Sequence, residues 1–569
     1  MQIATKDQMR GMDRTAIEDW GISSTYLMER AAKGFARAAA ELCDGVRWSE
    51  RAENGNSGSG EEKGDEAKRV AVFCGPGNNG GDGVAAARFL LEQGFLVRTF
   101  LVGRRERMTP DCREMEKRLI ALGGVLEDFV PEEQGQEGWC QEADVILDAI
   151  FGIGLHGAVQ GAARTAIRWI NESPAPVVSA DIASGVEADT GRILGTAVQA
   201  TVTVTFTCPK AGHFVGKGAL YAGRVLVHEI GIPEEVREKW LHLPLQDKAE
   251  QTQLRDWTGA WENPATLETL TLAEVGRLLP ERPKDGHKGT FGKVYVLGGS
   301  VGLSGAPLFA SQAAVRSGSG LVFVGVPGQI YGIVAGASQE AMPYPLACDQ
   351  EGRLIMESLW SISNRAEHCD AVLMGPGMGR SRDVERLVGK LLLRLRQPLV
   401  LDADGLYAIR NRRELLKERA SRGWVTVLTP HDGEFAYLGG DLSGQQRLME
   451  ARRFAREYGC ILVLKGHGTL IAEPGGRTFV NTTGNCGMAK GGSGDVLSGM
   501  ILSFLGQGVK PLLAAALGVW MHGRAGDLCA QEKTVYAMSP RDMVESLPGV
   551  FRELLGQRRS RKEKSPFIL

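Results

Sequence analysis

The 569-residue sequence lacks several features that mark particular classes of protein. It has no run of about 18 or more apolar residues, and its first twenty residues contain no apolar segment typical of a signal peptide. The ten cysteines form no CxxC pair and do not cluster with histidines, which is typical of a reduced, cytosolic chain. Because 66 basic and 68 acidic residues leave a net charge of −2, the basic excess of a nucleic-acid-binding protein is missing. We therefore expect a cytoplasmic protein that binds neither nucleic acid nor a membrane.

Glycine, by contrast, is abundant. The 75 glycines make up about 13% of the chain, against a usual value of about 7%. Hydrophobic residues at 43% and charged residues at 24% exclude a disordered or fibrous chain. Since a single hydrophobic core stops growing at about 250–300 residues, the length predicts two domains.

Short apolar strands alternate with helical patterns in two series, one starting at Arg69 and the other at Lys293. An amphipathic helix over Ser24–Cys43 precedes the first series, and residues 49–68 are rich in Gly, Ser and Glu, which indicates a mobile loop insertion. Alternating strands and helices predict parallel sheets covered by helices on both faces. We predict an α/β protein with domains at 1–235 and 281–560, joined by a linker over 236–280.

The first strand, RVAVFC, leads into the loop Gly75–Gly83. The loop fits the GxGxxG dinucleotide pattern, but so does Gly152–Gly157, and the second strand is followed by arginines rather than by the acidic residue that would bind a ribose. Oxygen-bearing side chains follow three strands of this series: Asn79, Asp82, Asp148, Asp181 and Ser184. Carboxyl ends of parallel strands converge, and such ligands suit a hard cation. A single aspartate at such a position can equally cap the next helix.

The strings GPGNNGGDGVAAARFL, DAIFGIGL, DIASGVEADTG and KAGHFVGKG resemble the NAD(P)H-hydrate epimerase family over residues 1–235. The resemblance implies a Rossmann-like three-layer αβα domain that interconverts the R and S forms of hydrated NADH or NADPH and binds potassium. It implies potassium ligands at Asn79, Asp148 and Ser184, and a substrate contact at Asp181. The family has an Arg or Lys near the position of His156. The other implied substrate contacts are Asn78, Asn79, Gly80, Gly81, Asp82, Gly152, Ile153, Gly154, Leu155, His156, Gly157 and Ala158.

Epimerisation at a carbon that bears both a hydroxyl and a nitrogen requires proton transfer on opposite faces. Asp181 is the candidate acid or base, and Lys210 is a candidate partner, although a surface lysine is the more common role for such a residue.

The most specific string in the second series is Asn485–Gly499, NCGMAKGGSGDVLSG. Consecutive glycines before a helix leave backbone N–H groups free to bind an anion. Asp495 in this string is placed to accept a proton from a hydroxyl near a phosphate. The GGSGD motif is similar to that of ribokinase-like kinases. Four further loops follow strands, at 375–379, 402–405, 429–434 and 465–469, and together they favour a ligand crevice, although each alone is compatible with an ordinary turn.

With HKGTFGKVYVLGGS, LSGAPLFASQAAVRSGSGLV and MHGRAGD, these strings resemble the NAD(P)H-hydrate dehydratase family over about residues 270–560. The resemblance implies a ribokinase-like αβα domain in which ADP, or ATP in some members, phosphorylates the hydrate hydroxyl, with Mg²⁺ bound to the nucleotide, and phosphate then leaves. It implies Asp495 as the catalytic base. Hydrate contacts are implied at Ala306, Gly377 or Gly379, His431 and Asp495, and nucleotide contacts at Lys465, Gly466, His467, Gly468, Thr469 and Gly494.

The two resemblances in this order are those of bifunctional NAD(P)H-hydrate repair enzymes. The implied partners are the small molecules NADHX or NADPHX and ADP, and we expect a homo-oligomer. An alternative is a ribokinase-like small-molecule kinase fused to a noncatalytic Rossmann-like module, which would leave a stable phosphorylated product. A third hypothesis, an N-terminal protein-interaction domain, is disfavoured by the oxygen-bearing strand ends.

Overall fold

A computed structural model describes residues 1–43, 67–241, 266–442 and 447–562, with side chains up to residue 556. The chain divides into two compact units, Gln2–Leu243 and Pro244–Leu569, the second including Met1. Most of the insertion predicted over 49–68 and the central part of the linker predicted over 236–280 lie outside the described residues. No helix in the described part of the chain combines the length and apolarity needed to span a membrane.

The N-terminal unit is built on a seven-stranded parallel sheet with the order β4-β3-β2-β5-β6-β7-β8. The strands of this sheet are β2 (Arg69–Cys74), β3 (Leu96–Leu101), β4 (Leu126–Asp128), β5 (Val145–Ala149), β6 (Val177–Ala180), β7 (Val202–Phe206) and β8 (Arg224–His228), and the short strand β1 (Gln2–Ile3) is not part of it. Its helices are α1 (Lys6–Glu18), α2 (Ser24–Cys43), α3 (Asn78–Glu92), α4 (Pro110–Ala121), α5 (Gln134–Gln141), α6 (Gly161–Glu172) and α7 (Glu234–Leu241).

Successive side chains of each central strand point to opposite faces of this sheet, and a separate hydrophobic core lies on each face. Val70 and Val72 of β2 pack with α2, α3 and α4, whereas Ala71 and Phe73 pack on the opposite face with Trp169 of α6. This is the three-layer αβα arrangement predicted for the domain. The strand order reverses between β2 and β5, and ligands bind at such a switch point in open α/β sheets.

The C-terminal unit has a second, larger sheet. Its strands are β9 (Leu267–Glu268), β10 (Lys293–Leu297), β11 (Leu321–Pro327), β12 (Met342–Leu346), β13 (Ala371–Met374), β14 (Leu399–Leu401), β15 (Thr426–Leu428), β16 (Ile461–Leu464), β17 (Leu470–Ala472) and β18 (Thr478–Val480). Its helices are α8 (Leu272–Leu278), α9 (Gly305–Arg316), α10 (Gly328–Ala337), α11 (Leu359–Ala366), α12 (Arg382–Leu392), α13 (Asp404–Ala408), α14 (Glu414–Ser421), α15 (Asp432–Tyr437), α16 (Arg447–Tyr458), α17 (Ser493–Gly506), α18 (Pro511–Ala537) and α19 (Pro540–Lys562).

Within this unit the strands follow the order β9-β18-β17-β16-β15-β14-β13-β10-β11-β12. The strands from β16 to β12 pair in parallel, so the parallel α/β prediction is confirmed for most of the sheet. Strand β17 pairs antiparallel with β16 and with β18, which differs from a wholly parallel sheet. The sequence pattern also misses β12, because its Pro343 and Pro345 are tolerated only where a strand forms the edge of a sheet.

Candidate active sites

The N-terminal unit contains a cavity of 690 Å³ at the switch point of its sheet. The residues that follow β2, β5 and β6 line it, together with one face each of α1 and α2. Of the residues predicted to contact substrate, those that line it are Asn78, Asn79, Asp82, Gly152, Ile153, Gly154, Leu155, His156 and Asp181. Gly80 and Gly81 lie behind this surface in buried positions, and Gly157 and Ala158 are outside the lining.

The NNGGD segment is helical in the structure. Helix α3 begins at Asn78, whereas the apolar pattern places the helix start at Val84. A Cβ atom on Gly80 would lie 1.7 Å from the carbonyl oxygen of Gly75, so only glycine fits here. The glycines therefore let the first turn of α3 pack tightly against the end of β2. That packing directs Asn78, Asn79 and Asp82 toward the cavity.

Asp148 is fully buried at the end of β5. Its carboxylate accepts hydrogen bonds from the Ser179 hydroxyl at 2.8 Å and from the backbone and hydroxyl of Ser184 at 2.9 and 2.5 Å. No basic side chain among the described residues pairs with it, and burial raises its pKa. Asn79, in the first turn of α3, lines the cavity, and its side-chain nitrogen is buried without a hydrogen-bond partner among the described residues. The carboxylate of Asp148 and the side-chain oxygens of Asn79 and Ser184 are hard ligands of the kind that a cation such as potassium accepts.

Asp181 follows β6 with a left-handed backbone conformation, φ 64°. The Lys210 ammonium contacts its carboxylate and also donates to the Thr205 hydroxyl at 2.9 Å. Lys210 is fully buried, so a surface role for this lysine is wrong. The Lys210 backbone N–H donates to Nδ1 of His213, which leaves Nε2 to donate to the Asp181 carbonyl at 2.9 Å. Burial and the Lys210 charge lower the pKa of His213 to about 4, so this imidazole is a neutral positioning group.

Three further charged residues in the cavity wall, Arg10, Asp13 and Asp111, were not predicted from the sequence. Arg10 and Asp13 lie on α1 and line the cavity. The guanidinium of Arg10 lies 3.9 Å from the position that a Cβ atom on Gly154 would occupy. Arg10 thus places positive charge beside the segment in which this chain has His156.

In the C-terminal unit, Asp495 lies in the first turn of α17. The helix starts after Gly492, whose φ of 98° favours glycine and whose Cβ atom would lie 2.9 Å from the Phe309 ring. Burial, chiefly, and the charges of Asp402 and Glu434 raise the pKa of Asp495 to about 7, although Lys465 opposes the shift. A carboxyl group with that pKa can exchange a proton near neutral pH.

Lys465 contacts side chains from the loops around the start of α17. Its ammonium lies 3.1 Å from Asp402 and 3.6 Å from Glu434, and 3.2 Å from the position of a Cβ atom on Gly494. Burial lowers the pKa of Lys465, but the two carboxylates outweigh burial and raise it. Lys465 is therefore a fixed positive charge beside the free N–H groups of α17, a combination that suits phosphate.

The residues predicted to contact the hydrate fall into two groups. A Cβ atom on Gly377 would lie 3.1 Å from the Ala306 side chain, and Gly379 donates its N–H to Asp404 at 2.9 Å. His431 instead caps α15, since its Nδ1 accepts from the N–H of Gly433 at 3.0 Å. Its ring is mostly exposed, so it remains available to a ligand.

The predicted nucleotide segment is the loop of the β16–β17 hairpin. The Thr469 hydroxyl closes this loop by donating to the Gly466 carbonyl at 3.0 Å and accepting from its N–H at 3.2 Å. The turn between the two strands consists of Gly466, His467 and Gly468, of which Gly466 and His467 are exposed. Lys465, which precedes this turn, places its ammonium beside Gly494 in the first turn of α17.

Sequence reasoning also missed His522 of α18, in the MHGRAGD segment. Its Nε2 and the Ser493 hydroxyl at the start of α17 are both buried without a hydrogen-bond partner among the described residues. Burial and the Lys465 charge lower the pKa of His522 to about 4. Among the described residues, no group of three or more His, Cys, Asp or Glu side chains is arranged to hold a metal ion.

Comparison with known proteins assigns each half of the chain to a family. Residues 24–212 match the family described as YjeF-related protein N-terminus, and residues 294–549 match the family described as NAD(P)H-hydrate dehydratase. A solved structure, an ADP/ATP-dependent NAD(P)H-hydrate dehydratase from Bacillus subtilis co-crystallised with ATP and Mg²⁺, is 29% identical and covers 50% of this chain and 98% of its own, with a TM-score of 0.43.

Full-length relatives cover both units together. The bifunctional NAD(P)H-hydrate repair enzyme Nnr of Moorella thermoacetica is 38% identical over 97% of both chains, and that of Thermofilum pendens is 34% identical, also over 97% of both chains. Two α/β units, one with a cavity at its strand ends and one with Asp495 and Lys465 at a helix start, define a two-domain enzyme. The chain belongs to the family of bifunctional NAD(P)H-hydrate repair enzymes. Relatives named for two activities favour this family over a kinase fused to a noncatalytic module.

Proposed function

We propose that the N-terminal site epimerises the R and S forms of hydrated NADH or NADPH and that the C-terminal site dehydrates the S form with ADP, giving AMP and phosphate. The observation that carries the proposal is the placement of Asp495, with a pKa of about 7, between a helix N-terminus and the ammonium of Lys465. A base beside an anion site is the arrangement that phosphoryl transfer to a hydroxyl requires.

In the C-terminal site, Asp495 takes the proton of the hydrate hydroxyl as its oxygen attacks the terminal phosphorus of the nucleotide. Hydroxide is a poor leaving group and phosphate is a good one, so the ring nitrogen lone pair then expels phosphate. Lys465, Gly466, His467, Gly468, Thr469 and Gly494 hold the nucleotide, and Ala306, Gly377, Gly379 and His431 hold the hydrate. When bound with the nucleotide, Mg²⁺ would neutralise phosphate charge.

In the N-terminal site, Asp181 acts as an acid or a base while the hydroxyl group leaves and returns on the opposite face of its carbon, and Lys210 fixes the orientation of the Asp181 carboxylate. Asn79, Asp148 and Ser184 would hold a potassium ion, which supplies positive charge next to the NNGGD turn. Arg10 supplies a cation for a substrate phosphate near Gly154. Replacement of potassium by lithium should slow epimerisation without changing the dehydration of pure S hydrate; equal epimerase rates in the two salts would contradict a potassium site.

The dehydratase half is tested with pure S hydrate, Mg²⁺ and either ADP or ATP. We expect stoichiometric release of phosphate and of reduced nicotinamide, the latter followed by its absorbance. A stable phosphorylated product without reduced nicotinamide would support the kinase alternative instead. Comparison of ADP with ATP, and of NADHX with NADPHX, determines which nucleotide and which hydrate this chain prefers.

We further propose that the protein acts in the cytoplasm and that it forms a homo-oligomer. Its dinucleotide substrates are metabolites of that compartment, and its cysteine pattern is that of a reduced chain. Light scattering coupled to size-exclusion chromatography measures the oligomeric state directly, and a monomeric mass would contradict the second prediction.

A further inference from the structure

Helix α1 turns one face toward the N-terminal cavity. Met9, Arg10, Asp13 and Ile17 line the cavity and recur at the three- to four-residue spacing of a single helix face. Met12 and Ala16, which flank this face, are fully buried in the core. The packing of these two residues holds α1 in place and so fixes Asp13 in the cavity wall.

Asp13 has no structural role that the described residues show. Thr5 caps α1 and closes a capping box with Gln8, so the helix does not need Asp13 as a cap. Asp13 accepts no hydrogen bond and forms no ion pair with any residue in the described part of the chain. A partly buried carboxyl group without a partner is costly, which favours a role toward a ligand over a role in folding.

The surroundings of Asp13 and Asp181 differ in a way that suits an acid and a base. Asp181 is ion-paired with Lys210. Burial, chiefly, together with the charge of Asp181, raises the pKa of Asp13 to about 6 against the opposing charge of Lys210. Asp82, also in the wall, is buried so fully that its pKa is raised well above the usual range. Pairs of carboxyl groups with divergent environments divide acid and base duties in other enzymes.

We propose that Asp13 is a second catalytic residue of the epimerase site, the proton donor that works with Asp181 as the base. The inference rests on the proposed epimerase function and deepens it. Asp13 reaches the cavity from α1, whereas Asp181 reaches it from the end of β6, so the two carboxyl groups approach a bound ring from different elements. Inversion at one carbon needs an acid and a base that act on opposite faces of that carbon.

The step balances as a loss and a return of water. Asp13 gives its proton to the hydroxyl oxygen; the carbon–oxygen bond breaks with both electrons on the departing water, while the ring nitrogen lone pair forms a carbon–nitrogen double bond. A solvent water then attacks the same carbon from the opposite face, the double-bond electrons return to nitrogen, and Asp181 takes a proton from the attacking water. Solvent at the open side of the cavity carries this proton back to Asp13.

The experiment follows conversion of pure R hydrate to S hydrate by chromatography, with the full-length protein and no nucleotide. We compare wild type with Asp13→Asn, Asp13→Glu and Glu18→Gln, the last removing an exposed carboxylate from the same helix. We expect Asp13→Asn to lower kcat by about 100-fold or more with little change in KM, since general acids contribute about 10²–10⁴-fold. Asp13→Glu should retain part of kcat, and Glu18→Gln should match wild type.

A wild-type kcat in Asp13→Asn, or a loss confined to KM, would overturn the proposal. If Asp13→Asn does not fold, the pH dependence of kcat/KM in Asp13→Glu tests the proposal instead. In wild type, kcat/KM should fall as pH rises through about 6. The pH at which kcat/KM falls should change in Asp13→Glu only if residue 13 is the acid. Arg10, Asp82, Asp111, His156 and Asp181 also line this cavity, Lys210 contacts Asp181, and all of them are unchanged in that variant. Each inversion should also incorporate one solvent oxygen-18 atom, and retention of the original oxygen would overturn the step. Wild type that epimerises no faster than buffer would instead refute the proposed epimerase function itself.

Discussion

The ammonium of Lys465 lies 3.1 Å from the carboxylate of Asp402, next to the start of the helix that carries Asp495. This ion pair holds a positive charge where the nucleotide phosphates are proposed to bind. Lys465→Met should raise KM for the nucleotide about 10- to 100-fold, since hydrogen bonds to charged groups contribute about 1.5–3 kcal/mol. Initial rates at varied nucleotide measure this, with the exposed Lys390→Met as the matched control. An unchanged KM would remove Lys465 from the nucleotide site.

Asp495→Asn should abolish nucleotide-dependent recovery of reduced nicotinamide, because no base then accepts the hydroxyl proton. The fold should survive and gain stability at pH 8. The pKa of Asp495 is raised in the folded protein to about 7 from its usual value of about 4. The free energy of unfolding of wild type therefore falls as pH rises between these two values. Asparagine does not ionise, so the variant does not lose this stability. Thermal unfolding at pH 8 measures it, with Glu367→Gln, an exposed carboxylate change, as control. Wild-type recovery of absorbance would rule out Asp495 as the base.

The pH profile of dehydration should report Asp495 directly. Since the base must be ionised, kcat/KM should rise as pH increases through about 7 and level off above it. The Lys465 charge lowers the pKa of Asp495, so Lys465→Met should move the rising limb to higher pH. Asp402→Asn should move it to lower pH, because the Asp402 charge raises that pKa. Identical limbs in all three proteins would assign the titration to another group.

Asp181→Asn should abolish the conversion of R to S hydrate while dehydration of S hydrate continues. Asparagine tolerates the left-handed backbone at this position, φ 64°, so the variant should fold. Chromatographic separation of the two epimers measures the first rate and absorbance the second. Glu132→Gln, which removes an exposed carboxylate from the same unit, serves as the control. Normal epimerisation in Asp181→Asn would discard this assignment.

The sequence predicts the residues that follow strands better than those that helices bring from elsewhere. Helix α2 has the predicted bounds, Ser24–Cys43, and the segments after β2, β5 and β6 converge on one cavity as the rule for parallel sheets requires. This reasoning does not predict Asp13, because α1 is mostly polar and precedes the strand series. Only the packing of α1 shows that Asp13 faces the cavity.

Local sequence also leaves the surroundings of a side chain undetermined. Lys210 lies in an ordinary CPKAG string, and its full burial depends on β7 and on Asp181, twenty-nine residues earlier. His522 is a second example. The burial of its unpartnered nitrogen depends on the packing of α18 beside α17, which the local sequence does not reveal. Such environments are set by tertiary packing, which no local pattern encodes.

The central claim is that two sites on one chain act in sequence. Its most direct test is the incubation of purified protein with a mixture of R and S hydrate, potassium, Mg²⁺ and ADP, followed by absorbance of the reduced nicotinamide. Wild type should convert the whole mixture rapidly, whereas Asp181→Asn should stop after the S fraction and continue only at the spontaneous rate of epimerisation. Wild type that also stops after the S fraction, or a mixture that is not converted at all, would contradict the account.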